Sequence, residues 1–208
     1  MITINRLNAS SADGLLKDNT VLSAGMVIAP VIICGSSIQN ALALIYAFST
    51  ITLLSVVTAS FIPKKLPYAV KIIIYALIAS LIYVPIRLLS EQIYPDSVKN
   101  IGIFFPLIAV NSLIVYQTEV KFFRMPRLKM ISSLVFHILG FDTVILLTGF
   151  IRELVGCGTI YSRVVDMKFL ISGLSQPFGG FIFLGLCCGI YRKIRSLTAD
   201  EKTDTEVK

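Results

Sequence analysis

The sequence predicts an all-α integral membrane protein with about six transmembrane segments. Of its 208 residues, 55% are hydrophobic and 15% are charged, and the mean hydropathy is +0.82. A soluble domain carries roughly a quarter charged residues, and its apolar positions alternate with polar ones. Here the apolar residues form long runs, and the charges lie between the runs. Lipid offers no partner to free backbone groups, so an open chain crosses it as helices of about 20 apolar residues. The composition therefore excludes a soluble domain.

The apolar runs divide the chain into three regions. Residues 1–18 form a polar N-terminal tail without the pattern of a secretory signal, residues 19–195 one integral membrane domain, and residues 196–208 a charged C-terminal tail. This last tail has no apolar face, which predicts a solvated and disordered segment. We place the six membrane segments at Val21–Cys34, Ala41–Ile62, Val70–Leu89, Ile101–Tyr116, Met130–Ile151 and Phe169–Tyr191.

The net charge of +7 is unevenly distributed between the two sides of the predicted bundle. The N-terminal tail and the connections after segments two, four and six share one side, which carries Arg6, Lys17, Lys64, Lys65, Lys71, Lys121, Arg124, Arg127, Lys129, Arg192, Lys193 and Arg195. The opposite side carries only Arg87, Lys99, Arg152, Arg163 and Lys168. Positively charged connections stay in the cytoplasm, so both termini are predicted to be cytoplasmic. The basic excess indicates topology and not nucleic-acid binding.

The first and fourth segments are too short for regular membrane-spanning helices. The first has 14 residues and is interrupted near Pro30; the fourth has 16 and contains Gly102, Pro106 and Asn111. They hold corresponding positions in two halves of three segments each. Such a pair indicates an inverted repeat with half-helices that meet near the bilayer midplane. The alternative is two ordinary, slightly short helices.

Two ionisable side chains fall inside the fifth segment. Asp142 lies near its middle, where a charge is costly and usually functional, so it is a candidate for an ion path. The alternative is a neutral or locally hydrogen-bonded aspartate. His137, the only histidine, lies nearer the cytoplasmic end, where a satisfied polar anchor is favoured over a ligand. The two are five residues apart and do not share a helix face.

Arg152 and Glu153 end the fifth segment and are followed by Gly156 and Gly158. This pattern is typical of an interfacial charge pair and a glycine turn that closes the helix. The sequence contains no metal-ligand spacing, phosphate-binding loop or nucleophile motif, so no catalytic residue and no metal site are predicted. The four cysteines, Cys34, Cys157, Cys187 and Cys188, indicate no disulfide framework.

Several separated strings carry a resemblance to a known family. They are Asn40-Ala41-Leu42, Gly102-Ile103-Phe104-Phe105-Pro106-Leu107-Ile108 with Asn111, Gly149-Phe150-Ile151-Arg152-Glu153-Leu154-Val155-Gly156 with Gly158-Thr159, and Pro177-Phe178-Gly179-Gly180-Phe181-Ile182. In this order they resemble the six-helix membrane subunits of the Rnf complex and of the sodium-translocating NADH:quinone reductase (Nqr). The likeness covers roughly residues 19–195 and is greatest to the Rnf E and Nqr D subunits.

The resemblance implies a partner subunit of inverted topology and a [2Fe–2S] cluster shared between the two. In the family, each subunit donates one cysteine from half-helix one and one from half-helix four. The matching positions here are Ala29 and Ser112, so the chain is predicted to contribute no ligand to the cluster. A slip of the chain at Pro30 that turns Cys34 inward is the alternative.

The function that follows is that of a membrane subunit of an Rnf/Nqr-like complex, which couples electron transfer to ion translocation in a prokaryotic cytoplasmic membrane. The chain would act as scaffold and pathway, without catalysing a reaction alone. We expect Asn40, Gly102 and Pro106 at a subunit interface, and polar midplane contacts from Asn111, Ser112 and Asp142. The alternatives are a solute or ion transporter built on the same repeat, and a structural paralogue without electron transfer.

Overall fold

The computed structural model describes residues 19, 21–23, 25, 28–63, 65–109, 114, 118, 126–165 and 170–206, with side chains up to residue 197. The helices are α1 Ile28–Cys34, α2 Ile38–Ala59, α3 Tyr68–Ile93, α4 Pro95–Ile101, α5 Arg127–Cys157 and α6 Pro177–Glu206. Two 3₁₀ helices, η1 Gly102–Ile108 and η2 Ser172–Leu174, and two strands, β1 Thr159–Ile160 and β2 Arg163–Val164, complete these elements. The predicted helical membrane fold is confirmed.

Four of the described helices are long and apolar enough to cross a membrane: α2, α3, α5 and α6. They correspond to predicted segments two, three, five and six, and the limits of the first three agree within six residues. Helix α2 is capped at its start by Ser37, whose hydroxyl accepts a hydrogen bond from the backbone N–H of Asn40. Helix α5 is capped at its end by Gly158, which adopts the left-handed conformation (φ 65°) and confirms the predicted glycine turn.

The described parts of the predicted first and fourth segments contain short elements, α1 at the end of the first and η1 near the start of the fourth. Helix α1 and the 3₁₀ helix η1 have seven residues each and pack against each other. Seven residues of α-helix rise only about 10 Å, too little to cross the hydrocarbon core. Two long helices follow each short element, α2 and α3 after α1 and α5 and α6 after η1, while the inverted three-plus-three repeat itself stays a prediction. Asn111 and Ser112 of the predicted fourth segment, Ile101–Tyr116, lie outside the described residues.

The last helix departs from the prediction at both ends. It begins at Pro177 and not at Phe169, because the chain from Leu170 onward forms a loop and the 3₁₀ turn η2. A proline favours the first turn of a helix and disfavours helical backbone before it. Helix α6 then continues to Glu206, so the prediction of a disordered tail is wrong for residues 196–206. Extending an existing helix costs far less free energy than nucleating a new one. This explains why the helix continues through residues 196–206, although few of them are apolar.

A short antiparallel hairpin follows α5, which a purely helical prediction omits. Thr159 pairs with Val164, and Ile160 with Arg163. The two residues at its tip, Tyr161 and Ser162, have φ values of 51° and 62°. Two consecutive positive φ angles are typical of the tight turns that match the twist of paired strands.

Helices α2 and α5 form the centre of the bundle. In each of these two helices, half of the apolar 18-residue stretch is buried, against 17% in α3 and α6. The rings of Phe48 on α2 and Phe141 on α5 stack with centroids 3.8 Å apart. Helix α3 exposes an apolar stripe at helical spacing: Ile73, Leu77, Leu81, Val84 and Leu88. Such faces are stable when lipid or neighbouring membrane helices cover them.

The first prediction concerns the orientation of α3. Lys65 and Asp96 are exposed and lie on either side of this 26-residue helix, which is about 39 Å long. Single cysteines placed at these positions in a cysteine-free chain should react with impermeant maleimide from opposite sides of the membrane, with position 65 cytoplasmic. Labelling of both from one side would contradict the membrane-spanning assignment.

Candidate functional site

The site is built at the break between α1 and α2, where Gly35, Ser36 and Ser37 separate the two helices. Two charged residues from the last turns of α5, Arg152 and Glu153, reach this break. Their exposed fractions are 0% and 3%. The two side chains do not form the predicted charge pair, because both are buried and each bonds to backbone groups of other elements; their position at the membrane interface stays a prediction.

The guanidinium of Arg152 donates hydrogen bonds to five backbone carbonyl oxygens. Nη1 donates to Ile32 and, at 2.8 Å, to Gly35; Nε donates to Leu174 at 3.0 Å; Nη2 donates to Ser175 at 3.1 Å and Gln176 at 3.2 Å. The last carbonyls of a helix lack intrahelical partners and form the negative end of its dipole. Arg152 thus caps the C-terminal end of α1 and binds it to the loop that precedes α6.

The carboxylate of Glu153 performs the complementary task at the start of α2. It accepts hydrogen bonds from the N–H of Ile38 at 2.7 Å, the N–H of Ser162 at 2.9 Å and the hydroxyl of Thr159 at 3.3 Å. A negative charge is favourable at a helix N-terminus, where backbone N–H groups are free. Neighbouring residues of α5 therefore stabilise both ends of the interrupted helix and hold the hairpin against it.

Glycines allow the close packing around this pair. A Cβ atom at Gly149 would lie 3.1 Å from the Cβ of Ala41 on α2, and one at Gly180 on α6 would lie 2.9 Å from the Cζ of Arg152. A Cβ at Gly156 would lie 2.9 Å from the backbone nitrogen of Ser175. The stabilisation of the break by Arg152 and its neighbouring glycines was not predicted from the sequence. The spacing of Gly149, Arg152 and Gly156 at i, i+3 and i+7 does, however, place these three residues on one face of α5.

Asp142 lies in the middle of α5 and is half-buried. The hydroxyl of Ser49 on α2 donates to its carboxylate, with oxygen–oxygen distances of 3.1 and 2.9 Å. Ten residues separate Asp142 from Arg152, which is about 15 Å along the helix. The structure thus places Asp142 at the α2–α5 contact, away from the break, and its proposed function in an ion path stays a prediction.

His137 is fully buried, and its Nδ1 lies 2.8 Å from the carbonyl oxygen of Ser133 one turn earlier in α5. A carbonyl accepts only, so this nitrogen carries the proton in that contact. The arrangement is that of a histidine anchored within its own helix, as the sequence favoured.

The predicted interface residues lie around the two short elements. Gly102 and Pro106 are exposed on η1, next to Ile103, whose side chain is 82% exposed. Asn40 is half-buried and donates from Nδ2 to the hydroxyl of Ser36 at 3.4 Å, within the break. Their place in a subunit interface stays a prediction.

Of the two predicted cluster positions the structure describes one, and the expectation that this chain supplies no cluster ligand stays a prediction. Ala29 is exposed on the first turn of α1 and has no donor atom, and Ser112 lies outside the described residues. Cys34 is fully buried at the other end of α1, about 7.5 Å along the helix from Ala29. A [2Fe–2S] cluster normally requires four thiolates. In the arrangement that the family resemblance implies, each of the two partner subunits would supply two.

The fold and the break define a polytopic helical membrane protein with interrupted helices. The family model described as "Rnf-Nqr subunit, membrane protein" matches residues 8–188. The chain therefore belongs to the Rnf-Nqr family.

Curated relatives agree with this assignment. The chain is 28% identical over 193 residues to the E subunit of the ion-translocating oxidoreductase complex of Haemophilus ducreyi, covering 86% of this chain and 85% of the relative. It is 27% identical over 169 residues to the D subunit of the Na(+)-translocating NADH-quinone reductase of Proteus mirabilis, covering 81% and 80%. The corresponding D subunit of Shewanella loihica is 30% identical over 145 residues, 69% of each chain.

Proposed function

We propose that this chain is a membrane subunit of an Rnf/Nqr-like complex that couples electron transfer to ion translocation. The observation that carries the proposal is the family match over residues 8–188, nearly the whole membrane domain. A scaffold function is supported by the contacts of Arg152 and Glu153, through which α5 holds both ends of the break. The described residues contain no motif for nicotinamide or flavin, so the chain contributes structure and pathway to a reaction that other subunits catalyse.

The partner in this proposal is a homologous membrane subunit of inverted topology. Its support lies in α1 and η1, which pack together and leave Ala29, Gly102, Ile103 and Pro106 exposed. Irregular backbone at membrane depth requires protein cover, since lipid cannot bond to it. A second subunit over these short elements would supply that cover. In this arrangement both termini of the chain are in the cytoplasm of a prokaryotic cell.

In this complex the chain supplies no iron ligand. Purified complex is therefore expected to keep its iron content and its iron–sulfur EPR signal when Cys34 is replaced by serine. Loss of the signal in Cys34→Ser, with assembly intact, would contradict the prediction and support a slip of the chain at Pro30.

The test of the proposed function is ion uptake driven by an electron donor. Inverted membrane vesicles from cells that lack this chain, and from cells complemented with it, are supplied with NADH or reduced ferredoxin. We expect donor-driven uptake of sodium ions or protons only in the complemented vesicles. Equal uptake in both would contradict the proposal.

Replacement of Asp142 by asparagine tests the predicted ion path in the same vesicles. If the carboxylate binds the moving ion, its removal should weaken ion binding by about 1.4 kcal/mol. The half-saturating ion concentration should then rise about tenfold. Ser49→Ala is the matched control, because it removes the hydroxyl that contacts Asp142 but keeps the charge. If the ion dependence of uptake were unchanged in Asp142→Asn, the carboxylate would not bind the moving ion. It would then contribute only to the packing of α2 against α5.

A transporter that works without electron transfer is the second candidate, favoured by the carboxylate at the α2–α5 contact. It predicts solute or ion exchange in proteoliposomes that contain this chain and no electron donor. The vesicle experiment separates the two, since only the first function requires the donor.

A further inference from the structure

The five carbonyl oxygens around Arg152 form a binding site in their own right. A guanidinium group has five N–H bonds in a planar fork. In this structure each N–H has one carbonyl: one for Nε, two for Nη1 and two for Nη2. Among the residues that the structure describes, Arg152 has no carboxylate in ion-pairing contact. Within the described part of the chain, carbonyl dipoles are the groups that stabilise this fully buried positive charge.

The surroundings of the guanidinium are shaped to admit it. Gly180 covers it from α6, where even a methyl group would lie 2.9 Å from Cζ and 3.0 Å from Nη2. The methyl group of Ile32 adjoins the same space. The carbonyls come from two segments, the end of α1 and the loop before α6, so the cation is the link between them.

We propose that this carbonyl cluster is a cation site selective for planar, multi-donor cations of the guanidinium class. The side chain of Arg152 occupies this site in the folded chain. A compact metal ion bonds to oxygens at one point and cannot satisfy five carbonyls arranged around a planar fork. An ammonium has three donors for the same five acceptors. The site binds α1 to the start of α6, and this holds independently of the reaction that the complex performs.

The proposal is tested by emptying the site and offering free cations to it. Arg152→Ala in the full complex, extracted in mild detergent, should lower the melting temperature by about 5 °C or more. Guanidinium chloride at about 20 mM, far below denaturing concentrations, should recover at least half of that loss by mass action. Sodium chloride, potassium chloride and urea at the same concentration should not.

The matched control is Arg87→Ala, which removes an arginine that is 48% exposed and paired with Glu91. Neither this variant nor the unchanged protein should gain stability from guanidinium. Equal gains in all three proteins, or equal rescue of Arg152→Ala by sodium ions, would overturn the proposal.

A second variant covers the case in which Arg152→Ala does not accumulate in membranes. Arg152→Lys keeps the charge but loses the planar fork, and it should melt measurably below the unchanged protein. A lysine variant as stable as the unchanged protein would show that the site recognises charge alone, which overturns the selectivity claimed for it.

Discussion

Replacing Glu153 by alanine is expected to lower the free energy of unfolding by about 3 kcal/mol, because it leaves buried donors without an acceptor. The N–H groups of Ile38 and Ser162 both bond to this carboxylate. The variant also removes a negative charge from the N-terminal end of α2, which is worth up to about 1 kcal/mol more. The measurement is thermal unfolding of the complex in detergent, followed by size-exclusion chromatography.

Two further variants separate the acceptor from the charge. Glu153→Gln keeps one acceptor oxygen and should lose roughly half as much stability. Glu91→Ala removes an exposed glutamate from α3 and should change the free energy of unfolding by less than about 1 kcal/mol. If the losses in Glu153→Ala and Glu91→Ala were equal, the carboxylate would not be a structural acceptor for the break.

Replacing Gly149 by leucine is the second change with a large expected effect. Its Cβ alone would lie 3.1 Å from the Cβ of Ala41 and 3.1 Å from the carbonyl oxygen of Ser37. The remaining side-chain atoms would force α5 away from the start of α2. Overpacking of this kind costs about 3 kcal/mol, and we expect the complex to accumulate poorly in membranes.

Gly185 provides the control for this change. It lies on α6 with open space around its would-be Cβ. Gly185→Leu should therefore leave the amount of assembled complex in membranes unchanged, although it introduces the same side chain. The amounts are compared by quantitative immunoblotting of solubilised membranes. Equal accumulation of both variants would contradict the close contact of α5 with α2.

Much of this architecture is predictable because it follows from local pattern. Long apolar runs have one solution in lipid, so α2, α3 and α5 lie within six residues of their predicted limits. The interruption predicted near Pro30 is wrong: Pro30 lies in the first turn of α1, a position that proline favours, and the break follows at Gly35, Ser36 and Ser37. The start of α6 at Pro177 is harder to predict because the preceding apolar residues, which form a loop, are as hydrophobic as the helix.

The function of Arg152 could not be predicted from local pattern. Its carbonyl partners Ile32 in α1 and Gly35 in the break lie 120 and 117 residues away along the chain. A charged residue near a helix end is usually interfacial, and only the three-dimensional contact with a broken helix makes burial favourable here. The partner of Asp142 is similarly remote, since Ser49 lies 93 residues earlier. In both cases the residue type indicates importance, but tertiary structure decides the contact.

The central claim is that this chain functions within a multisubunit redox complex and not alone. Affinity purification of the tagged chain from native membranes in mild detergent, followed by identification of all copurifying proteins, tests it most directly. The account predicts a second Rnf-Nqr membrane subunit in equal amount, together with flavin- or ferredoxin-type subunits. A stable, monodisperse single chain with no copurifying membrane subunit would contradict it.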